Sequence, residues 1–256
     1  MYELNRMRLF GIGPRGARYT DVTLDLSDVG APITGQTSLF APPTRRPSPF
    51  SLLMLENGGG KSVLLKLLFS VVLPGKRNAV GGTATAMERF IVGEDTGHVV
   101  LEWMHVRTGD RVITGKTLQG RRNARADGSR LAEAWWSLRP HDGAELDSLP
   151  FTRDGRRLRL DGFRDELEEI DKRSPGTQLN WAGYDVGEWA NHLRTLGIEP
   201  DLFAIQRLMN ADEGDAASAF KFRSSKDFVD WLLRVVLDPE DAVSVATNFD
   251  SYATNV

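Results

Sequence analysis

Cysteine is absent from all 256 positions, which excludes a disulfide scaffold, a thiolate zinc site and a thiol nucleophile, and fits a reducing cytoplasm. Histidine is scarce: His98, His105, His141 and His192 are the four, and no two stand at metal-ligand spacing. An excess of either charge is lacking as well. The 32 basic and 35 acidic side chains leave a net charge of -3, so no global basic field advertises nucleic acid and any DNA contact must come from a local patch. Long hydrophobic runs are missing too. The longest apolar stretch, residues 63–73, carries Lys66 and falls short of the roughly 20 residues that cross a bilayer, so no membrane span is expected. Glu3, Arg6 and Arg8 interrupt the amino terminus where an export signal would need an unbroken apolar stretch.

What is present is the composition of a soluble globular chain, 41% hydrophobic and 26% charged, sufficient for one large domain or two small ones. Residues 4–12 and 19–26, separated by a turn with Gly13, Pro14 and Gly16, read as a pair of strands. Residues 30–49 hold five prolines with Ser, Thr and Arg45-Arg46, a composition that predicts an exposed connector. Residues 50–55 (FSLLML) predict a short strand buried on both faces. Residues 99–106, 111–118 and 131–138 predict an antiparallel meander, and from residue 162 the pattern turns helical, at 163–170, 186–196, 200–209 and from 224 onward. Trp135, Trp136 and Trp181 read as core or interface residues, and the acidic run 165–169 as a solvated helix face.

Between the strand at 50–55 and a strongly apolar helix that stops before Pro74-Gly75 stands Asn57-Gly58-Gly59-Gly60-Lys61-Ser62. A phosphate loop needs glycines so that successive amides turn inward, a lysine that reaches the β and γ phosphates, and a hydroxyl for Mg²⁺, all at a helix amino terminus. This segment supplies each of them. The consensus places a further glycine at position 55, where this chain has Leu55, which alters the entry turn and leaves the cradle from Asn57 to Ser62 intact. Two segments imitate the acidic strand such enzymes use to hold metal. Val99-Val100-Leu101-Glu102 continues past its acid and reads as an ordinary alternating strand, while residues 232–238 (LLRVVLD) follow a capping box at Ser224-Ser225-Lys226-Asp227 and read as helix. Two arginine clusters, Arg121, Arg122, Arg125 with Arg130, and Arg153 with Arg156, Arg157 and Arg159, admit both a DNA-phosphate reading and that of solvated basic loops.

The strand pair, NGGGKS within the first 65 residues, the β-rich middle and Phe203-Ala204-Ile205-Gln206 ahead of a polar loop and a helix together resemble the N-terminal lobe of an SMC-type ABC ATPase head. The opening MYELNRMRLFGIGPRGARYTDVTLDL and GEDTGHVVLEW at 93–103 are most similar to the JetC subunits of Wadjet, the MukB-like bacterial condensins of plasmid defence. The resemblance implies an α/β P-loop lobe with an antiparallel β subdomain over residues 1–223 and a helical segment, 224–256, leading to a coiled-coil root. ATP and Mg²⁺ would be the cofactors. Asn57, Gly58, Gly59, Gly60 and Val63 would line the phosphates, Lys61 would bind the β and γ phosphates, and Ser62 would hold Mg²⁺. Gln206 would reach Mg²⁺ and the attacking water, with a helix-surface glutamine as the alternative. Arg77, then Arg89, would approach the phosphates, with a solvated arginine as the alternative for each.

The resemblance also implies partners: a C-terminal head lobe, in the same longer chain or a second one, that carries the signature and acidic strand; a head-head homodimer; kleisin and winged-helix subunits; and DNA. It places the protein in the bacterial cytoplasm, on the nucleoid or on plasmids. Two other readings stay open. One is a repair ATPase of the RecF, RecN or SbcC kind, and the other a non-catalytic nucleotide-gated interaction module in which Leu55 marks lost turnover.

Overall fold

The computed structural model describes residues 1–33, 43–48, 51, 54, 60–74, 87–124, 128–141, 143–183, 185–211 and 224. Asn57, Gly58, Gly59, Arg77, Arg125, most of the run 50–55 and the expected helix beyond 224 lie outside them. The chain divides into two compact units, Met1–Pro200 and Asp201–Val256. Among the described residues no helix is long and apolar enough to cross a membrane.

The first unit is mixed α/β, built on a six-stranded antiparallel sheet. In chain order the strands are β1 (Tyr2–Ile12), β2 (Tyr19–Asp25), β3 (Thr96–His105), β4 (Arg111–Gly120), β5 (Leu131–Leu138), a two-residue pair β6 (Thr152–Arg153) and β7 (Arg156–Arg157), and β8 (Asn180–Gly183). The large sheet is ordered β2-β1-β3-β4-β5-β8, and β6 and β7 pair with each other. The strand pair and the meander predicted from the sequence are both present. Thr108-Gly109-Asp110 makes the β3–β4 turn, with Gly109 at φ 76°, a left-handed conformation that glycine adopts without a Cβ penalty.

Helices cover both faces of this sheet. On one face α1 (Lys61–Val72) buries Leu64, Leu67 and Val71 against β3 and β4. The last carbonyls of any α-helix lack intrahelical partners, and here two indoles satisfy two of them. Trp135 Nε1 donates to Ser70 O at 3.0 Å, and Trp189 Nε1, from α3 (Val186–Thr195), donates to Val71 O at 2.8 Å. The carboxyl end of α1 is thereby bolted to the sheet, which fixes the direction in which its amino end points. On the other face α2 (Leu160–Arg173) packs Phe163, Leu167 and Ile170 on Val100, Ile113, Trp136 and Leu138, with Leu146 and Phe151 from residues 141–151. Gly115 lies directly under the Trp136 ring, leaving no room for a Cβ.

The two-sided cover corrects the expectation for residues 99–106. An alternating strand would expose every second side chain, whereas nine of the ten β3 residues are buried because α1 and α2 cap opposite faces. Glu102, 0% exposed, is therefore deep in the molecule. Arg6 grips it bidentately at 2.9 and 3.0 Å, Asn5 Nδ2 donates to it at 2.6 Å, and Arg111 approaches at 3.4 Å. A register shift between Leu4 and Arg6 lets these two neighbours in sequence reach the same carboxylate, as a bulge does.

The described ends of the connector, expected to be exposed, are in part paired and buried. Its described ends pair with each other: Ile33 N–H donates to Thr44 O, and Arg46 N–H to Ala31 O, each at 2.9 Å. Ile33 and Pro47 are buried there. Proline withholds an N–H but leaves its neighbours free to pair. Conversely Ser51 and Met54, the two described positions of the apolar run 50–55, are exposed rather than buried.

His98 sits wholly buried on the α2 face, stacked on Phe151 at 4.3 Å between ring centroids, with its Nδ1 3.0 Å from Thr117 Oγ1 and its Nε2 without a partner. Burial, then the Arg157 and Arg8 charges, push its pKa from 6.5 down to about 3. The folded protein holds this ring neutral while the unfolded chain protonates it near its ordinary pKa. Its contribution to stability is thus complete above about pH 6.5 and falls by about 1.4 kcal/mol per pH unit below it, until the folded-state pKa is reached. Urea titrations at pH 7, 6 and 5 should show this slope, and His98→Phe should flatten it.

The second unit begins at Asp201, the second residue of α4 (Pro200–Ala211); Pro200 at the first helical position and Asp201 in the first turn are both favourable at a helix amino terminus.

Candidate functional site

The antiparallel register gathers chemically notable residues at one end of the sheet. Ile12 pairs with Tyr19, Thr96 with Gln119, and Gly120 with Leu131, so the β1–β2 turn, the approach to β3 and the β4–β5 turn are neighbours. The amino end of α1 arrives at the same end, where Tyr19 Oη donates to Gly60 O at 3.4 Å.

Gly60 caps α1 at φ 89°, ψ 11°, with no side-chain cap and no acid in the first turn. A Cβ at this position would stand 2.5 Å from the Tyr19 hydroxyl, so glycine is required both by the left-handed backbone and by the space. Leu64 N–H donates to Gly60 O at 2.8 Å. By helix geometry it is the first amide with an intrahelical acceptor, and the amides of Lys61, Ser62 and Val63 are directed outward from the helix start. Lys61 and Ser62 are exposed and Val63 is half-buried. A cationic side chain, a hydroxyl and outward amides at the positive end of a helix dipole form a receptor for an anion bearing several oxygens. Partial burial raises the pKa of Tyr19, so its phenol remains a neutral donor beside the Gly60 carbonyl.

Beside this end, Asp95 Oδ2 accepts from Arg18 and Arg157, each at 2.5 Å, and Arg18 also donates to Gly11 O at 2.8 Å. Arg157 further lies over the Phe10 ring at 5.3 Å. The clamp ties the turn after β1 to β3 and to the β6–β7 pair. Its partners lie 77 and 62 residues apart in sequence, and Tyr19, like Asp95, carries no local motif that would single it out.

The remaining expected residues are distributed as follows. Arg157 and Arg153, from the second arginine cluster, are engaged by Asp95 and Glu166, so this half of the cluster braces the fold instead of presenting open cations. Arg122 pairs with Glu94 at 3.1 Å. Arg89 lies over the Phe90 ring at 5.0 Å, in the 3₁₀ turn before β3. Gln206 falls within α4, on an exposed position of the second unit. The polar loop expected to open at this glutamine starts no earlier than the end of α4 at Ala211, because no helix breaker stands between Pro200 and Ala211. Glu102 is committed to arginines, as described above, and is unavailable to a metal. Among the described residues no group of three His, Asp or Glu is placed to hold an ion. Ser137 Oγ, on β5, lies 2.7 Å from His192 Nε2, on α3, but Ser137 is only 2% exposed, so the pair joins helix to sheet and offers no nucleophile. Burial lowers the His192 pKa.

No protein-family model matches the chain, and no curated protein matches it significantly.

Proposed function

We propose that this chain is the ATP- and Mg²⁺-binding lobe of an SMC-like ATPase head, working in a condensin-like complex that translocates or extrudes DNA. One observation carries the reading: Gly60, in a left-handed conformation, opens an apolar, sheet-anchored helix whose first two residues are an exposed lysine and an exposed serine. That arrangement, preceded in sequence by Asn57-Gly58-Gly59, is the donor set a nucleoside triphosphate requires.

In this reading Lys61 neutralises the β and γ phosphates, the amides of 61–63 donate to the phosphate oxygens, and Ser62 contributes one hydroxyl to the metal. Mg²⁺ keeps most of its shell as water and phosphate oxygen, so a single hydroxyl suits it and a carboxylate cluster is unnecessary in this lobe. The metal, when bound, withdraws charge from the β and γ oxygens. Gln206 is the proposed positioning group for the attacking water. The α/β architecture with an antiparallel sheet supports the lobe assignment. Met54, 84% exposed, supports a second lobe, since it is an apolar side chain for that lobe to cover. Kleisin and winged-helix subunits, a second head and DNA are the proposed partners, and the bacterial cytoplasm the proposed location.

Because the signature and the water-activating carboxylate belong to the second lobe, the chain alone should bind ATP and leave it intact. Single-turnover assays should find no cleavage by residues 1–256 and cleavage once the second lobe is supplied. Rapid cleavage by the chain alone would place a complete catalytic centre within it and reject the half-site assignment.

A further inference from the structure

At the same end of the sheet, but separate from Gly60, Lys61 and Ser62, lies a cavity of about 470 Å³ rimmed by Arg15, Arg121, Arg122, Arg130, Glu88 and Glu94. Its volume is within the range of small-molecule sites, about 300–1,000 Å³. Its lining is unlike that of an apolar pocket: four guanidiniums face two carboxylates, and both carboxylates have work within the fold. Glu94 accepts from Arg122 at 3.1 Å, and Glu88 Oε1 accepts the Arg130 backbone N–H at 2.7 Å. Among the described residues no carboxylate pairs with Arg15 or Arg130, which leaves an excess of positive charge around a concave space.

The walls are preorganised. Arg121 N–H donates to Arg130 O at 2.7 Å and Gly120 N–H to Asp95 O at 3.0 Å, which locks the β4–β5 turn to the approach to β3. Gly120 lies so close to the Gly93 carbonyl that a Cβ would collide with it, while Gly93, at φ 60°, has open space beside it. The floor between the arginines is therefore bare backbone with Ile91 and Leu131 beneath, both buried. Planar guanidiniums present paired N–H donors that match phosphate oxygens, and they stay charged at every physiological pH.

We propose that this cavity binds a phosphate-bearing ligand of mononucleotide size or smaller, independently of the loop at Gly60. A free phosphate ester enters such a concavity whole, whereas a duplex, convex and rod-like, presents only a phosphate at its surface. The inference does not rest on the ATPase reading, and its test is arranged to keep the two apart.

Pyrophosphate, adenosine monophosphate and a short DNA duplex should be titrated calorimetrically, without Mg²⁺, into the full 256-residue chain carrying Lys61→Ala, so that the loop cannot contribute its lysine. The same titrations are repeated with Arg15→Gln and Arg130→Gln added. Both arginines are exposed, so thermal melts should be superimposable, certifying the fold. Saturable binding of pyrophosphate or the monophosphate, weakened roughly tenfold or more by the arginine pair, is the expected result. No saturable binding of either small probe, binding insensitive to the two arginines, or binding of the duplex alone would overturn it. ATP affinity of a chain with Lys61 intact and both arginines replaced then reports on the loop separately.

Discussion

Lys61→Ala should weaken Mg·ATP binding by roughly 100-fold, equivalent to about 2.7 kcal/mol. The ammonium group is the one formal cation at the opening of α1, since Lys61 is followed by Ser62, Val63, Leu64 and Leu65. A hydrogen bond to a charged group contributes about 1.5–3 kcal/mol, and a lysine lying between β and γ oxygens makes more than one. The amides of 61–63 survive the substitution, so residual weak binding is expected, as is a little-altered melting temperature, because Lys61 is exposed. Fluorescence titration with a labelled ATP analogue at constant ionic strength would measure the loss. A change smaller than threefold would remove Lys61 from the phosphate site.

Glu102→Ala should cost about 3–5 kcal/mol of stability, the range for stripping one partner from a buried ion pair. Glu102 is 0% exposed, and the Arg6 side chain it holds is 16% exposed. With the carboxylate gone, Arg6 keeps only Asp147, at 2.6 Å and itself well exposed, while Asn5 Nδ2 loses its acceptor in the core. Hydrogen bonds to Glu102, foremost, hold the Arg6 pKa above its ordinary value; with that partner gone the guanidinium still stays charged, because its intrinsic basicity is far above neutrality. A domain of ordinary stability has about 5–15 kcal/mol in total, and the variant should unfold at markedly lower urea. Glu102→Gln, which keeps the shape and an acceptor oxygen, should lose less. Equal stability of wild type and alanine variant at pH 7 would show that the network contributes nothing net.

How far the sequence reached depended on the range of the interaction. Features that act within about ten residues were legible: the turn at 108–110, the meander, and the apolar periodicity of α1 with Gly60-Lys61-Ser62 at its start. The candidate site residues Lys61 and Ser62 stood out for the same reason, since the proposed phosphate loop is a contiguous stretch whose chemistry does not depend on distant partners. Three features were hidden. The burial of β3 on both faces arises from helices more than 20 residues away to either side, which strand periodicity does not report. The pairing of Ile33 with Thr44 was masked by the prolines around it, whose composition suggested a chain with nothing to bond. The Arg18–Asp95–Arg157 clamp and the Trp135 and Trp189 bonds to the end of α1 join residues far apart in sequence. An isolated arginine or tryptophan gives no sign of which carboxylate or carbonyl it will meet.

These hidden contacts bear on the proposed chemistry. A phosphate receptor at a helix start works only if the helix is held in place when the charge arrives. Two indoles fix the far end of α1, and Tyr19 occupies the space behind Gly60.

The most direct test of the central claim is hydrogen exchange of the 256-residue chain with and without Mg·ATP. Slower exchange confined to peptides spanning residues 57–64, largely lost when Lys61→Ala is given the same concentration of Mg·ATP, is the predicted result. Unchanged exchange across 57–64 at saturating nucleotide, or protection confined to peptides remote from it, would contradict the assignment of this loop as the nucleotide site.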